Sequence, residues 1–221
     1  MPTFFRFAAQ FAAASAAVAL LGMTAFFWLT PAQPPQPLTT AAGVTLDDET
    51  SALLTEVVFQ AARDDDLVTI REYLAEGFSP NVRSPRGDTL LIVASYHDSR
   101  AVVQQLLQAD QIDLEARNRM GLTAVAAAAF KGFDETLAQL IAAGANVNSG
   151  NRMRQTAIMF AALAGKSSTV KLLRQAGADS AAADALGNTP ASLAANQGAF
   201  SALAALRSET MSDHSEKETK K

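Results

Sequence analysis

The sequence predicts an all-α solenoid of about five helix–turn–helix repeats, joined by loop or β-turn fingers and preceded by an N-terminal apolar helix. Three observations carry that expectation. Gly87-Asp88-Thr89, Gly121-Leu122-Thr123, Arg154-Gln155-Thr156 and Gly187-Asn188-Thr189 recur in register, with threonines 34, 33 and 33 residues apart. Gly132, Gly165 and Gly198 each follow their Thr by nine residues, and Asp98 takes that place in the earlier repeat. Ile70, Val103, Leu137 and Val170 pair with Tyr73, Leu106, Leu140 and Leu173 three residues on, a spacing that puts both side chains on one helix face.

Each repeat follows from its residues. A small apolar stretch opens after each Thr: LLIVAS at 90–95, AVAAAA at 124–129, AIMFAA at 157–162 and PASLAA at 190–195. Thr is a good N-cap, because its hydroxyl accepts from amides that the first helical turn leaves unpaired. Pro190 is tolerated in that turn because its missing N–H had no partner to lose. Hydrophobic residues make up 49% of the chain but aromatics only 7%, so alanine sets the packing and neighbouring helices can approach closely. The one extra residue falls near Asp110–Asp113, in a loop where insertion costs little.

GNTPASLAANQG (187–198), VKLLRQAGAD (170–179) and LIAAGANVN (140–148) resemble the ankyrin repeat over about residues 51–207. The resemblance implies units near 51–82, 83–116, 117–149, 150–182 and 183–207, the outer two acting as caps. In the first, 53–62 aligns with helix one and 67–76 with helix two. The His usual in the family's T-P-L-H motif is replaced by Ile92, Ala126, Met159 and Ser192. Its inter-repeat hydrogen bonds are therefore lost, and apolar contacts are expected to carry more of the stability.

The first forty residues differ. Arg6 is the only charged side chain before Asp47, and Phe7–Leu29 is apolar or small apart from Gln10, Ser15 and Thr24. As a helix this stretch would span roughly 35 Å, enough for a hydrocarbon core of roughly 30 Å. Retained, it is a membrane anchor; cleaved, with Thr30-Pro31-Ala32 as the site, it is a signal segment. Either way the positive-inside bias places the body outside the cytoplasm: inner-membrane anchored with a periplasmic body, or free in the periplasm. Residues 31–50 read as a Pro/Gln-rich spacer and 208–221 as a disordered polar tail.

The net charge of -4 argues against nucleic acid as a partner, and the lack of Cys excludes disulfides, thiol catalysis and Cys-ligated metal. No G-x-S-x-G elbow or phosphate-cradling Gly-rich loop occurs. Asp64-Asp65-Asp66 reads as a solvated cap turn, since three adjacent carboxylates point different ways. No catalytic residue, cofactor or metal is assigned. In the family, the fingers and the exposed end of helix one bind a protein partner. Here Arg86, Arg119 and Arg152, read as 33 residues apart, form an expected basic ridge with Arg83, Arg117 and Arg154 nearby. Tyr96, Phe130 and Leu163 share a register near the end of helix one. A partner with an acidic surface is the corresponding expectation. The resemblance to small exported bacterial ankyrin proteins implies an adaptor role, with accessory or immunity functions toward a periplasmic enzyme or toxin as alternatives. An envelope spacer without a specific partner is the other class.

Overall fold

A computed structural model describes residues 37–207. The apolar stretch at 7–29 and the tail at 208–221 lie outside the described residues. Among those described, no helix is long and apolar enough to cross a membrane.

Among the described residues, ten helices form five antiparallel pairs: α1 (Asp48–Asp64) with α2 (Leu67–Ala75), α3 (Leu90–His97) with α4 (Arg100–Leu107), α5 (Ala124–Lys131) with α6 (Asp134–Ala142), α7 (Ala157–Leu163) with α8 (Ser167–Gln175), and α9 (Pro190–Asn196) with α10 (Phe200–Arg207). Odd-numbered helices stack on one another as an inner layer, and even-numbered helices stack behind them. The core is the set of rows expected from the repeat. Ile70, Val103, Leu137, Val170, Leu106, Leu140 and Leu173 are all fully buried, and Tyr73 nearly so. Alanines 126–129 in α5, and Ala161 and Ala162 in α7, are buried between neighbouring inner helices, where a larger side chain would force the stack apart.

The helix ends show local chemistry deciding local structure. Thr89, Thr123 and Thr189 each accept a hydrogen bond from the third residue of their helix: Ile92 N at 3.3 Å, Ala126 N at 3.3 Å and Ser192 N at 3.2 Å. Thr156 does not. The Met159 amide donates instead to the Thr156 carbonyl at 3.0 Å, leaving the buried Thr156 hydroxyl without a partner. Thr123→Ala is therefore expected to cost about 1 kcal/mol. Thr156→Val should be neutral or stabilising, because it removes an unpaired buried hydroxyl. Urea unfolding of both variants checks this, and equal losses would refute it.

Three expectations need correction. Residues from Leu38 to 50 pack on the first unit, where a spacer was expected. Leu38 is buried, its amide donates to Ser51 Oγ at 2.9 Å, and the Leu46 amide closes a tight turn onto the Leu38 carbonyl at 2.9 Å. The Ala41 amide ties that turn to the Gly77 carbonyl at 2.8 Å. The first helix then begins at Asp48, five residues before the expected 53, because Asp47 caps the Thr50 amide at 2.8 Å.

Asp64-Asp65-Asp66 is more than a solvated turn. Asp65 is left-handed (φ 57°), and its carboxylate accepts from Val102 N at 2.9 Å in the next repeat. Asp66 caps α2 through Val68 N and Thr69 N. Those hydrogen bonds, with the Thr69 hydroxyl's the largest, hold the Asp66 carboxyl below its ordinary value.

Nor is the missing His made good by apolar contacts alone. Asn81, Glu115 and Asn148 occupy one register, and each clamps the next repeat's backbone. Asn81 accepts from Asp113 N at 2.9 Å, Glu115 from Asn146 N at 2.7 Å, and Asn148 from Asp179 N at 2.8 Å. The loops after the outer helices thus supply one repeated set of inter-repeat hydrogen bonds.

Candidate protein-binding surface

Each finger is closed by the same backbone hydrogen bond. Ser84 N donates to Asp88 O at 2.9 Å, Asn118 N to Leu122 O at 3.1 Å, Asn151 N to Gln155 O at 3.0 Å and Asp184 N to Asn188 O at 2.9 Å. Within each loop the residue three places on is left-handed: Gly87, Gly121, Arg154 and Gly187, with φ of 79°, 78°, 59° and 82°. Fingers pack on fingers. Arg119 Cγ lies 3.1 Å from where a Cβ on Gly87 would stand, and the Ala185 amide donates to the Met153 carbonyl at 2.8 Å.

This geometry corrects the basic ridge. The first tip position holds Pro85, Arg119, Arg152 and Ala185; the second holds Arg86, Met120, Met153 and Leu186. Arg119 and Arg152 do share a position, but Arg86 sits one place further along its own tip. The step from the second to the third repeat is 34 residues, so counting 33 from Arg86 lands one position early. The tips therefore combine two arginines at one position of consecutive fingers with an apolar row. Met153 is 43% and Leu186 76% exposed, while Met120 is half-buried. That row was missed, though the 34-residue threonine step contained the signal.

The flanking arginines differ in use. Arg83 Nη1 donates to the Gly87 carbonyl at 2.9 Å and to the Arg117 carbonyl at 2.8 Å, so it ties two fingers together. Arg117 is exposed. Arg154 occupies the left-handed position that Gly fills elsewhere and lies close enough to Asp184 to act on its carboxyl. Burial alone would push Asp184 up, but hydrogen bonds from Asn188 and Leu186, together with Arg154, leave it below its ordinary value.

Tyr96, Phe130 and Leu163 stand at the far end of the inner helices, about 10 Å along the axis from the finger end. Tyr96 is 38% exposed, and Lys131 Nζ sits 4.9 Å from its ring centroid, within cation–π reach. Phe130 and Leu163 are half-buried, and Phe130 meets Phe160 edge-on at 6.5 Å. The same register continues to Arg63 in the first repeat. There Thr55, Glu56, Phe59 and Arg63 of α1 face Ser84 and Pro85 of the first finger across a groove of about 360 Å³. Sequence reading missed the groove because it treated the first repeat only as a cap.

Among the described residues, no three His, Cys, Asp or Glu side chains come together to hold a metal ion. His97 is held below its ordinary value by partial burial, with Arg63 and Lys131 adding to the effect.

The family model described as ankyrin repeats (3 copies) matches residues 58–151 and 126–217. Since these matches cover most of the chain and the helices stack as described, the protein belongs to the ankyrin-repeat family. Ankyrin repeats are in general protein–protein interaction modules. No curated protein matches the chain.

Proposed function

We propose that this chain is a non-enzymatic adaptor, displayed outside the cytoplasm, that captures an acidic-surfaced protein through its fingers and inner helices. The observation that carries the reading is the placement of Arg119 and Arg152 at one tip position of consecutive fingers, beside the exposed Met153 and Leu186. Guanidiniums next to accessible apolar side chains suit recognition of carboxylates framed by hydrophobic groups. The membrane-side part rests on the apolar run 7–29 following Arg6.

Arg119→Glu with Arg152→Glu is expected to weaken capture of the partner from membrane fractions roughly tenfold or more. The melting temperature should stay within about 2 °C, because both positions are turn residues outside the core. Unchanged capture by the double variant would refute the surface. An alkaline phosphatase fused after residue 221 should be active if the body is exported, and inactive if it stays in the cytoplasm.

A further inference from the structure

Carboxylates crowd the turns between inner and outer helices, and each is already engaged inside the chain. Asp64 accepts from Gln60 Nε2 at 2.8 Å, Asp65 from Val102 N at 2.9 Å, Asp98 from the Thr136 hydroxyl at 2.7 Å and Asp134 from the Thr169 hydroxyl at 2.5 Å. Asp66 caps α2, and Glu135 pairs with Arg100, whose Nε also lies 3.4 Å from Asp98. Two cations beside these turns are held differently. Arg63 Nη1 donates to the neutral Gln60 Oε1 at 3.0 Å. The Lys131 ammonium rests over aromatic rings, 4.9 Å from the Tyr96 centroid and 5.8 Å from that of Phe133. Among the described residues, neither Arg63 nor Lys131 pairs with a carboxylate.

His97 belongs to the repeat between them. Its ring meets Tyr96 edge-on at 5.4 Å, and the Ser99 hydroxyl of the same turn donates to the Arg63 carbonyl at 3.2 Å. The charged groups acting on the imidazole are Arg63 and Asp64 from α1 and Lys131 from α5. Burial, then Arg63, then Lys131 hold it below its ordinary value, while Asp64 acts in the opposite sense and is outweighed. On its own turn, Asp98 and Arg100 are taken up with each other and with Thr136 and Glu135.

We propose that Arg63, His97 and Lys131 form a carboxylate-binding site for an acidic residue of a protein partner, whose flanking chain runs from Arg63 into the groove between α1 and the first finger. A carboxylate there would meet two cations that lack one within the chain. Ala52, Phe59 and Pro85 line the groove beyond Arg63, and Tyr96 is 38% exposed beside it, so apolar neighbours of the acidic residue have surfaces to cover. Glu56 lines the same groove two helical turns from Arg63, about 10 Å along α1, and disfavours a second carboxylate. The site therefore suits a lone acid between apolar residues, not a run of acids. Binding is linked to pH. A carboxylate among these cations raises the His97 pKa, so affinity is greatest below the value of the free chain and falls as pH rises through the value of the complex.

The inference rests on the adaptor reading for the partner's charge, and its test uses different residues. The probe is a short acetylated, amidated peptide with one Glu between leucines, and its Gln counterpart is the control. Full-length chain in neutral-lipid nanodiscs carries His214→Gln, so that His97 is the one histidine followed by NMR. The Glu peptide should raise the His97 pKa by about one unit and bind about fivefold more tightly at about pH 5 than at about pH 8. Arg63→Gln with Lys131→Gln should weaken binding at least about tenfold at an unchanged melting temperature. His97→Gln should keep the affinity found at high pH and lose the pH dependence. An unmoved His97, an equal shift from the Gln peptide or from millimolar inorganic phosphate, or full binding by the double variant would each overturn the proposal. If Arg63→Gln with Lys131→Gln captures the partner from membrane fractions as the parent does, while Arg119→Glu with Arg152→Glu fails, this site is refuted and the adaptor reading stands.

Discussion

Leu140→Ala should remove about 3 kcal/mol of stability, a large part of what a domain of this size holds. Leu140 is fully buried on the central outer helix, in the row shared by Leu106 and Leu173. A repeat stack has no single closed core, so its stability is approximately a sum of repeat terms and nearest-neighbour interfaces. Weakening the middle unit loosens its coupling to both flanks. Urea unfolding should therefore lose its single sharp transition as well as its midpoint. Phe200→Ala is the control: that side chain is 76% exposed in the single chain, and its loss should change the stability of isolated chains by under about 0.5 kcal/mol. A Leu140→Ala loss below about 1 kcal/mol with an unbroken transition would contradict this account of the core.

Gly121→Ala is expected to cost about 2–4 kcal/mol, whereas Gly187→Ala should cost about 1–2 kcal/mol. Both glycines are left-handed, with φ of 78° and 82°, so both pay for backbone strain once a Cβ is added. They differ in what surrounds them. A Cβ at Gly121 would stand 2.9 Å from Asn151 Cβ and 3.2 Å from Asn151 Cα, while at Gly187 nothing lies within 4 Å. The difference between the two variants therefore isolates finger-on-finger packing. Because Asn151 anchors the finger carrying Arg152 and Met153, Gly121→Ala should also lower partner capture. Equal costs in denaturant unfolding would mean that the fingers yield rather than stack.

The same fingers show how far sequence reasoning reaches. The row positions of Tyr96, Phe130 and Leu163 were legible because each lies a constant distance from its own threonine, within one helix. Their different fates were not. Phe130 forms a T-shaped pair with Phe160 and Tyr96 stays open beneath Lys131, and both outcomes depend on neighbours a full repeat away. Arg86 was placed one residue out because fingers stack by loop hydrogen bonding, not by a fixed count. Gln111, left-handed at φ 62° in the loop after α4, stands where Gly144 stands one repeat later. It marks the place where the chain absorbed its extra residue.

Residue spacing alone determined the repeat length, the two-helix unit, the buried rows and the threonine caps, because each depends on side chains close together in the chain. Tertiary structure alone decided the register of the finger tips, the Asn81, Glu115 and Asn148 clamps, the inclusion of Leu38 in the first unit and the unpaired hydroxyl of Thr156. All four turn on which groups, many residues apart or held by the surrounding stack, come within about 3 Å of one another. Hydrogen bonding that selective is settled by how one repeat seats on the next, and periodicity does not encode it.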